Sequence, residues 1–236
     1  MSFDRWRSLV DGAEIDVGAA IPDSGMFQSP IYQFWAGAYE GSDQDSPFDY
    51  PEVLAELPDA TAAGAPIFNS DQAGFAAGEY DGVDDGHDIS PDAQLPTGDD
   101  PWTLVALVYV RDGSGSNGAI GWGNNAVDES MLLRVRDGDA EQNVWGQNLI
   151  GDSVPTEDWV SLAGTYDGST LEVLSQGSLD NSTSLSDLNI QDENHSLAYR
   201  SANNDAFLDG FVAEVIVSDV AEPEQAFSDY HQDRLG

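Results

Sequence analysis

Trp102-Thr-Leu-Val-Ala-Leu-Val-Tyr-Val110 decides the fold class. Both of its alternating faces are mainly apolar, the pattern of a central strand covered on both sides. Arg111-Asp-Gly-Ser-Gly-Ser-Asn-Gly118 reads as a flexible turn behind it, and Ala119-Ile-Gly-Trp122, Met131-Leu-Leu-Arg-Val135 and Asn143-Val-Trp145 follow at hairpin spacing. Trp159-Val-Ser-Leu-Ala-Gly-Thr-Tyr166 and Leu171-Glu-Val-Leu174 flank Asp167-Gly168, a strong hairpin-turn signal. Phe211-Val-Ala-Glu-Val-Ile-Val217 reads as the last strand, and Glu222 to Tyr230 as a short closing helix.

Working backwards, Ile31-Tyr-Gln-Phe-Trp35, Ala65-Pro-Ile-Phe68 and Ala76-Ala-Gly-Glu-Tyr80 read as strands. An acidic, proline-containing excursion runs to about residue 64, and within it Pro51-Glu-Val-Leu-Ala-Glu-Leu57 suits one or two helical turns. Many strands at short spacing, joined by Gly and Asp turns, imply an antiparallel sandwich. Its core should hold Trp102, Leu104, Val108, Trp159, Leu162 and the ring of Tyr166. No internal repeat is visible.

The first 29 residues read differently. Phe3, Trp6, Leu9 and Val10 recur at the spacing of a short helix that buries one stripe, with Gly12 ending it and Ile21-Pro22-Asp23-Ser24-Gly25 forming a turn. A helix this short needs a partner surface. The chain therefore divides into an attachment segment, residues 1–29, and a sandwich, residues 30–236. Phe3, Trp6, Leu9 and Val10 are the candidate subunit-attachment residues, docking on another subunit or on the sandwich itself.

Charge constrains function more than any motif. The 236 residues carry 44 acidic against 7 basic side chains, a formal net charge of -37, and no lysine. Such a surface repels itself at low ionic strength. In about 1 M salt the Debye length falls to about 3 Å and screens most of that repulsion. The acids are spread among six tryptophans and regular apolar strands, which points to a folded protein of high-salt surroundings. Nucleic acid is excluded as a partner, because phosphate binding needs Lys/Arg clusters. No apolar run reaches the length of a membrane span, so no membrane partner is expected. The N-terminus lacks the apolar region of a secretory signal, so export by such a signal is not expected. Cysteine is absent, which removes disulfides, thiolate metal sites and cysteine nucleophiles.

Three stretches together resemble the laminin-G-like, concanavalin A-like jelly-roll superfamily, as found in virion proteins of haloarchaeal tailed viruses. They are Glu79-Tyr-Asp-Gly-Val-Asp-Asp-Gly-His-Asp-Ile89, the tryptophan strand and hairpin Trp159 to Leu171, and Phe211 to Val217 with its Glu214-Val215 pair and following helix. Their order matches over roughly residues 30–236. Ser175-Gln-Gly177 stands where members usually carry an Asn-Gly turn. The resemblance implies an all-β, antiparallel two-sheet jelly-roll sandwich; the short N-terminal and C-terminal helices flank it.

Candidate chemistry is sparse. The superfamily includes glycoside hydrolases with a Glu-x-Asp-x-x-Glu strand; Glu79-Tyr-Asp81-Gly-Val-Asp84 misses its last acid and runs into a Gly-rich turn. No catalytic residue is assigned. Asp81, Asp84, Asp85 and Asp88 can supply oxygen ligands to a hard cation, Ca2+ or Mg2+, or form a solvated turn in which Asp81 bonds its own backbone. His87, His195 and His231 lack metal or triad spacing. Trp122 and Trp145 are either core residues or a sugar-stacking platform. No phosphate loop, serine elbow or zinc motif appears.

The leading expectation is a non-enzymatic structural protein of a haloarchaeal virion, a capsid decoration, turret or tail-fibre component. It would be made in the host cytoplasm and exposed after particle release. Its partners would be other virion proteins, further copies of itself as a homo-oligomer, and a host surface glycan or S-layer. A carbohydrate-binding module without catalysis is the second reading, and a glycoside hydrolase the third.

Overall fold

A computed structural model describes residues 26–54, 58–91 and 93–236. The stripe of Phe3, Trp6, Leu9 and Val10 lies outside the described residues, as do Ala55, Glu56 and Leu57. The chain forms β1 (Pro30–Trp35), β2 (Thr61–Ala63), β3 (Ile67–Gln72), β4 (Phe75–Asp81), β5 (Gly86–Asp88), β6 (Trp102–Val110) and β7 (Ser116–Gly123). Then come β8 (Ser130–Arg136), β9 (Asp139–Val144), β10 (Gln147–Ser153), β11 (Trp159–Tyr166), β12 (Thr170–Ser175), β13 (Ser178–Ser184), β14 (Ser196–Leu197) and β15 (Asp209–Ser218). Helix α1 (Glu224–Leu235) closes the chain.

The strands make two antiparallel sheets, as the sequence implies. One has eight strands in the order β13-β12-β11-β6-β15-β4-β3, with β1 also pairing β15. The other has seven, β10-β9-β8-β7-β14-β5-β2. The strand that decided the fold class lies in the middle of the first sheet, between β11 and β15. Its two apolar faces meet different partners. Leu104, Ala106, Val108 and Val110 enter the main core between the sheets. Val105 packs under α1 with Ile216, Phe227 and Tyr230, while Leu107 packs with Trp159, Phe211 and Ala213. Trp102, Leu104, Val108, Trp159, Leu162 and Tyr166 are all buried, and the Tyr166 hydroxyl donates to the Asp99 carboxylate and, at 3.3 Å, to the Leu185 carbonyl.

The hairpin turn reads through. Asp167 Oδ1 accepts the backbone N–H groups of Ser169 and Thr170 at 2.8 and 2.7 Å, and Gly168 takes the φ of +91° that the reversal requires. A bulge in β15 between Val212 and Glu214 shifts its register against β6. Val212 and Val215 both face the core as a result, and Glu214 turns towards α1.

Several expectations need correction. Pro51 to Leu54 is not helical: Glu52 forms an isolated bridge to Phe34, and Val53 N–H bonds the Gln33 carbonyl. The strand expected at Ala65–Phe68 starts at Ile67, because Ala65 N–H is bound by the Asp85 carboxylate instead of a ladder partner. Residues Met26 to Ser29 are part of the sandwich's packing. Phe27 is buried against Tyr230, and Glu222 accepts the N–H groups of Gln28 and Ser29. Glu222, expected inside the helix, precedes it and ties this entering segment down.

Candidate functional site

The seven-stranded sheet carries an open cleft. On β8, Met131, Leu133 and Val135 point into the core, so Arg134 and Arg136 point outward. On β9, Ala140 and Val144 point inward, so Glu141 and Asn143 point outward beside them. Register places Arg134 opposite Glu141. The Arg134 Nε reaches Glu141 Oε1 at 3.0 Å, its Nη2 binds the same oxygen, and its Nη1 donates to Ser116 Oγ at 3.0 Å. Burial lowers the Arg134 pKa, and the hydrogen bond and charge of Glu141 oppose that shift.

A segment distant in sequence completes the wall. Between β14 and β15 the chain folds back over the outer face of β7. Gly118 makes that approach possible, since a Cβ there would stand 2.9 Å from the Ala206 carbonyl oxygen. Gly86 does the same for Tyr199, whose ring stacks on Phe207 with centroids 5.3 Å apart. This excursion carries Arg200, whose Nε and Nη2 hold the Asp205 carboxylate at 2.7 and 2.6 Å. The Arg200 guanidinium lies 4.6 Å from the centroid of the Trp145 ring. Arg134, Arg136, Asn143, Trp145, Asn148 and Arg200 thus line one open cleft of about 640 Å³. Three of the chain's seven arginines converge there.

Chemically this is a polar binding surface with one aromatic platform. Asn143 Nδ2 donates to Asn148 Oδ1, which orients both amides. Trp145 is half-buried at the tip of the β9–β10 hairpin, and its backbone is fixed by Ser130 and Asp128. Trp122 is not its partner in a platform. It sits in the main core at 2% exposure and donates its Nε1–H to the Pro96 carbonyl at 2.9 Å.

The acidic turn gathers three of its four candidate ligands. Asp81, Asp84 and Asp85 bring carboxylate oxygens within 4.8 Å of one another. Asp88 does not join them, because β5 carries it into the sheet opposite Thr61 and Ser196, and its carboxylate accepts the Tyr199 hydroxyl. Asp81 Oδ1 already caps the turn by accepting Val83 N–H at 2.8 Å, and Asp85 Oδ1 accepts Ala65 N–H at 2.7 Å. Burial first, then the Asp81 and Asp84 charges, push the Asp85 carboxyl up. The remaining oxygens suit a hard cation such as Ca2+ or Mg2+. The hydrolase-like acids are not free: Glu79 pairs with Arg111, and Asp81 serves the turn.

The histidines are not brought together. His195 Nε2 lies 2.8 Å from Asp192, and His231 Nδ1 lies 2.9 Å from Ser161 Oγ. His87 is buried among Phe48, Tyr50 and Tyr80, with Nε2 on the Phe48 carbonyl at 2.8 Å and Nδ1 on the Tyr80 hydroxyl at 3.1 Å. Burial depresses its pKa to about 4, with the Phe48 bond and the Asp49 charge opposing weakly. Above pH 6.5 the imidazole is neutral in both folded and unfolded chains. As pH falls from 6.5 towards 4, only the unfolded chain takes up the proton. Stability is therefore lost across that window, by about 3 kcal/mol for a shift of this size. Urea melts at pH 7.5, 5.5 and 4.5 in constant high salt should show His87→Gln losing less stability on acidification than the wild type. Parallel slopes for the two proteins would contradict this assignment.

Comparison with known proteins places the fold. No curated protein sequence matches the chain. Residues 81–225, more than half of the chain, match the model of the concanavalin A-like lectin/glucanase superfamily. Among solved structures, domain 4 of AbnA, a GH43 extracellular arabinanase from Geobacillus stearothermophilus solved with arabinotriose, superposes with a TM-score of 0.65. It is 13% identical, over 87% of this chain and 100% of that one. The botulinum neurotoxin serotype D binding domain superposes at 0.61 with 11% identity, over 87% of this chain and 52% of its own, so this chain spans about half its length. The CBM40 domain of a Ruminococcus gnavus sialidase, bound to α2,3-sialyllactose, reaches 0.50 at 11% identity, over 56% of this chain and 83% of its own. At these identities the likeness is one of fold. The ordered tryptophan hairpin, the two sheets and the matched span together make this chain a member of the concanavalin A-like lectin/glucanase superfamily.

Proposed function

We propose that this chain is a non-catalytic glycan-binding domain whose ligand lies in the cleft of Arg134, Arg136, Asn143, Trp145, Asn148 and Arg200. The carrying observation is the cleft itself. An aromatic ring, two oriented amides and three guanidiniums line one opening in a chain otherwise almost stripped of cations. Amides and guanidiniums match the hydroxyls of a sugar, and an indole offers the flat apolar surface that sugar C–H faces need. Glycan-bound members of the fold, the arabinanase domain and the sialidase CBM40, support the reading. Glycosidic hydrolysis asks for two carboxylates free to act across the bond. Of the two acids that line the cleft, Asp205 is held by Arg200 and Asp137 accepts Gly115 N–H, which favours binding without turnover.

The test is titration of the full chain in high salt against an oligosaccharide panel, read by tryptophan fluorescence and calorimetry. Trp145→Ala should weaken binding at least about tenfold with the melting temperature little changed, and no reducing sugar should appear. Binding unaffected by Trp145→Ala, or sugar release, would overturn the proposal. The display of this domain on a haloarchaeal virion is the setting that a charge of -37 without lysine favours, because a hypersaline exterior screens such a surface. Immunolabelling of particles in the electron microscope checks it: decorated capsids, turrets or tails support the setting, and bare particles refute it.

A further inference from the structure

Arg136 differs from its neighbours in the cleft. Arg134 is fixed by Glu141 and Ser116, and Arg200 by the two-pronged grip on Asp205 and by the Trp145 ring. The Arg136 guanidinium makes no hydrogen bond among the described residues. Its nearest carboxylate oxygens, on Asp137 and Glu141, both stand 3.8 Å away, too far for one. Both are loose ion pairs, made by the second oxygen of each acid: Asp137 Oδ1 accepts Gly115 N–H at 3.1 Å, and Glu141 Oε1 holds Arg134. In a chain with 44 acids, a guanidinium at the mouth of a cleft that forms no hydrogen bond of its own is conspicuous.

The local charge balance supports a ligand at that position. Arg134, Arg136 and Arg200 stand among Asp137, Asp139, Glu141 and Asp205, so this patch is far closer to neutral than the chain as a whole. High salt screens the repulsion from the rest of the surface, whereas short, direct guanidinium–oxyanion hydrogen bonds survive screening better. The planar donor fork matches two oxygens of a carboxylate or sulfate, a geometry an ammonium cannot reproduce.

We propose that the cleft takes a glycan carrying an acidic group, a carboxylate or sulfate, and that Arg136 receives that group while Trp145, Asn143 and Asn148 hold the neighbouring sugar. The inference rests on the glycan-binding reading above and narrows its ligand class. The arriving substituent supplies the short, direct hydrogen bonds that Arg136 does not make with Asp137 and Glu141 at 3.8 Å.

The experiment titrates the full chain, in high salt, with neutral oligosaccharides and with length-matched uronate-containing and sulfated counterparts. Acidic members should bind about tenfold or more tightly than neutral ones, the worth of one hydrogen bond to a charged group. Arg136→Gln should erase that preference, weakening acidic glycans about tenfold or more and neutral ones much less, with the melting temperature unchanged, and Arg136→Lys should restore only part of it. The uronate and sulfate arms identify which anion is preferred. If neutral glycans bind as well as acidic ones, or Arg136→Gln keeps the preference, this inference falls and the glycan reading stands. If no glycan binds and Trp145→Ala changes nothing, the glycan reading itself falls and takes this inference with it.

Discussion

Moving the protein from about 2 M to about 20 mM salt at neutral pH is expected to unfold it cooperatively and reversibly, as the Debye length grows from below 3 Å to above 20 Å. The cause is the formal charge of -37, in which all seven arginines are already counted. Each of the five described arginines is already beside acids: Arg111 on Glu79 and Asp209, Arg134 and Arg136 at Glu141, Arg200 on Asp205, Arg234 on Glu214 and Asp233. Adding every one of these contacts still leaves an acidic surface repelling itself. No disulfide restrains the chain against that repulsion. Circular dichroism across a KCl series measures the transition. Acidification to about pH 4 at low salt should restore part of the signal, because carboxylates with ordinary pKa values near 4 begin to lose their charge. A full native spectrum at 20 mM salt without divalent ions would show that the acids are not the dominant load on stability.

Glu214→Ala is expected to be the most damaging single side-chain change in the described structure, costing about 3–5 kcal/mol. The carboxylate is 1% exposed and joins three elements. Gln33 of β1 donates to Oε1; Tyr230 and Arg234 of α1 donate to Oε2, both at 3.0 Å. Its removal leaves the Arg234 guanidinium, itself only 11% exposed, without its buried partner. It also releases the helix that covers Val105, Ala163 and Ile216 on the outer face of the eight-stranded sheet. Asp233→Asn is the matched control. It touches the same arginine from an exposed position, where an ion pair contributes about 1 kcal/mol or less. Denaturant melts in high salt should separate the two by several kcal/mol, and equal losses would mean that Arg234 finds a replacement partner.

The elements legible in the sequence are those whose pattern is local. β6 and β11 begin and end where their apolar runs do, because a strand buried on both faces is apolar at nearly every position apart from small buried hydroxyls. The Asp167-Gly168 turn was equally plain, since its chemistry lies within four residues. β2, β10, β13 and β14 were missed. β10 and β13 are edge strands, exposed and polar, as in Ser178-Leu-Asp-Asn-Ser-Thr-Ser184, and they are strands because a neighbour pairs with them. β14 spans only Ser196 and Leu197, held between β5 and β7.

The candidate site divides in the same way. Composition determined the class of surface, acidic and almost free of cations, and order of motifs determined the sandwich. One signal for the cleft was present and went unread: Arg134 and Arg136 alternate on one face of a strand, in a chain where arginine is scarce. Whether Trp122 or Trp145 faces solvent was beyond a two-residue repeat, because a core tryptophan and a cleft tryptophan share the same strand-like surroundings. Only the tertiary structure set Arg200 against Trp145 and left the Arg136 guanidinium without a hydrogen bond of its own. That arrangement depends on a fold-back between β14 and β15, admitted by the missing side chain at Gly118 and pinned by Arg200 to Asp205. Strand periodicity is set by neighbours one or two residues away and can be read along the chain; a binding cleft is set by segments that meet only after the sheets have paired.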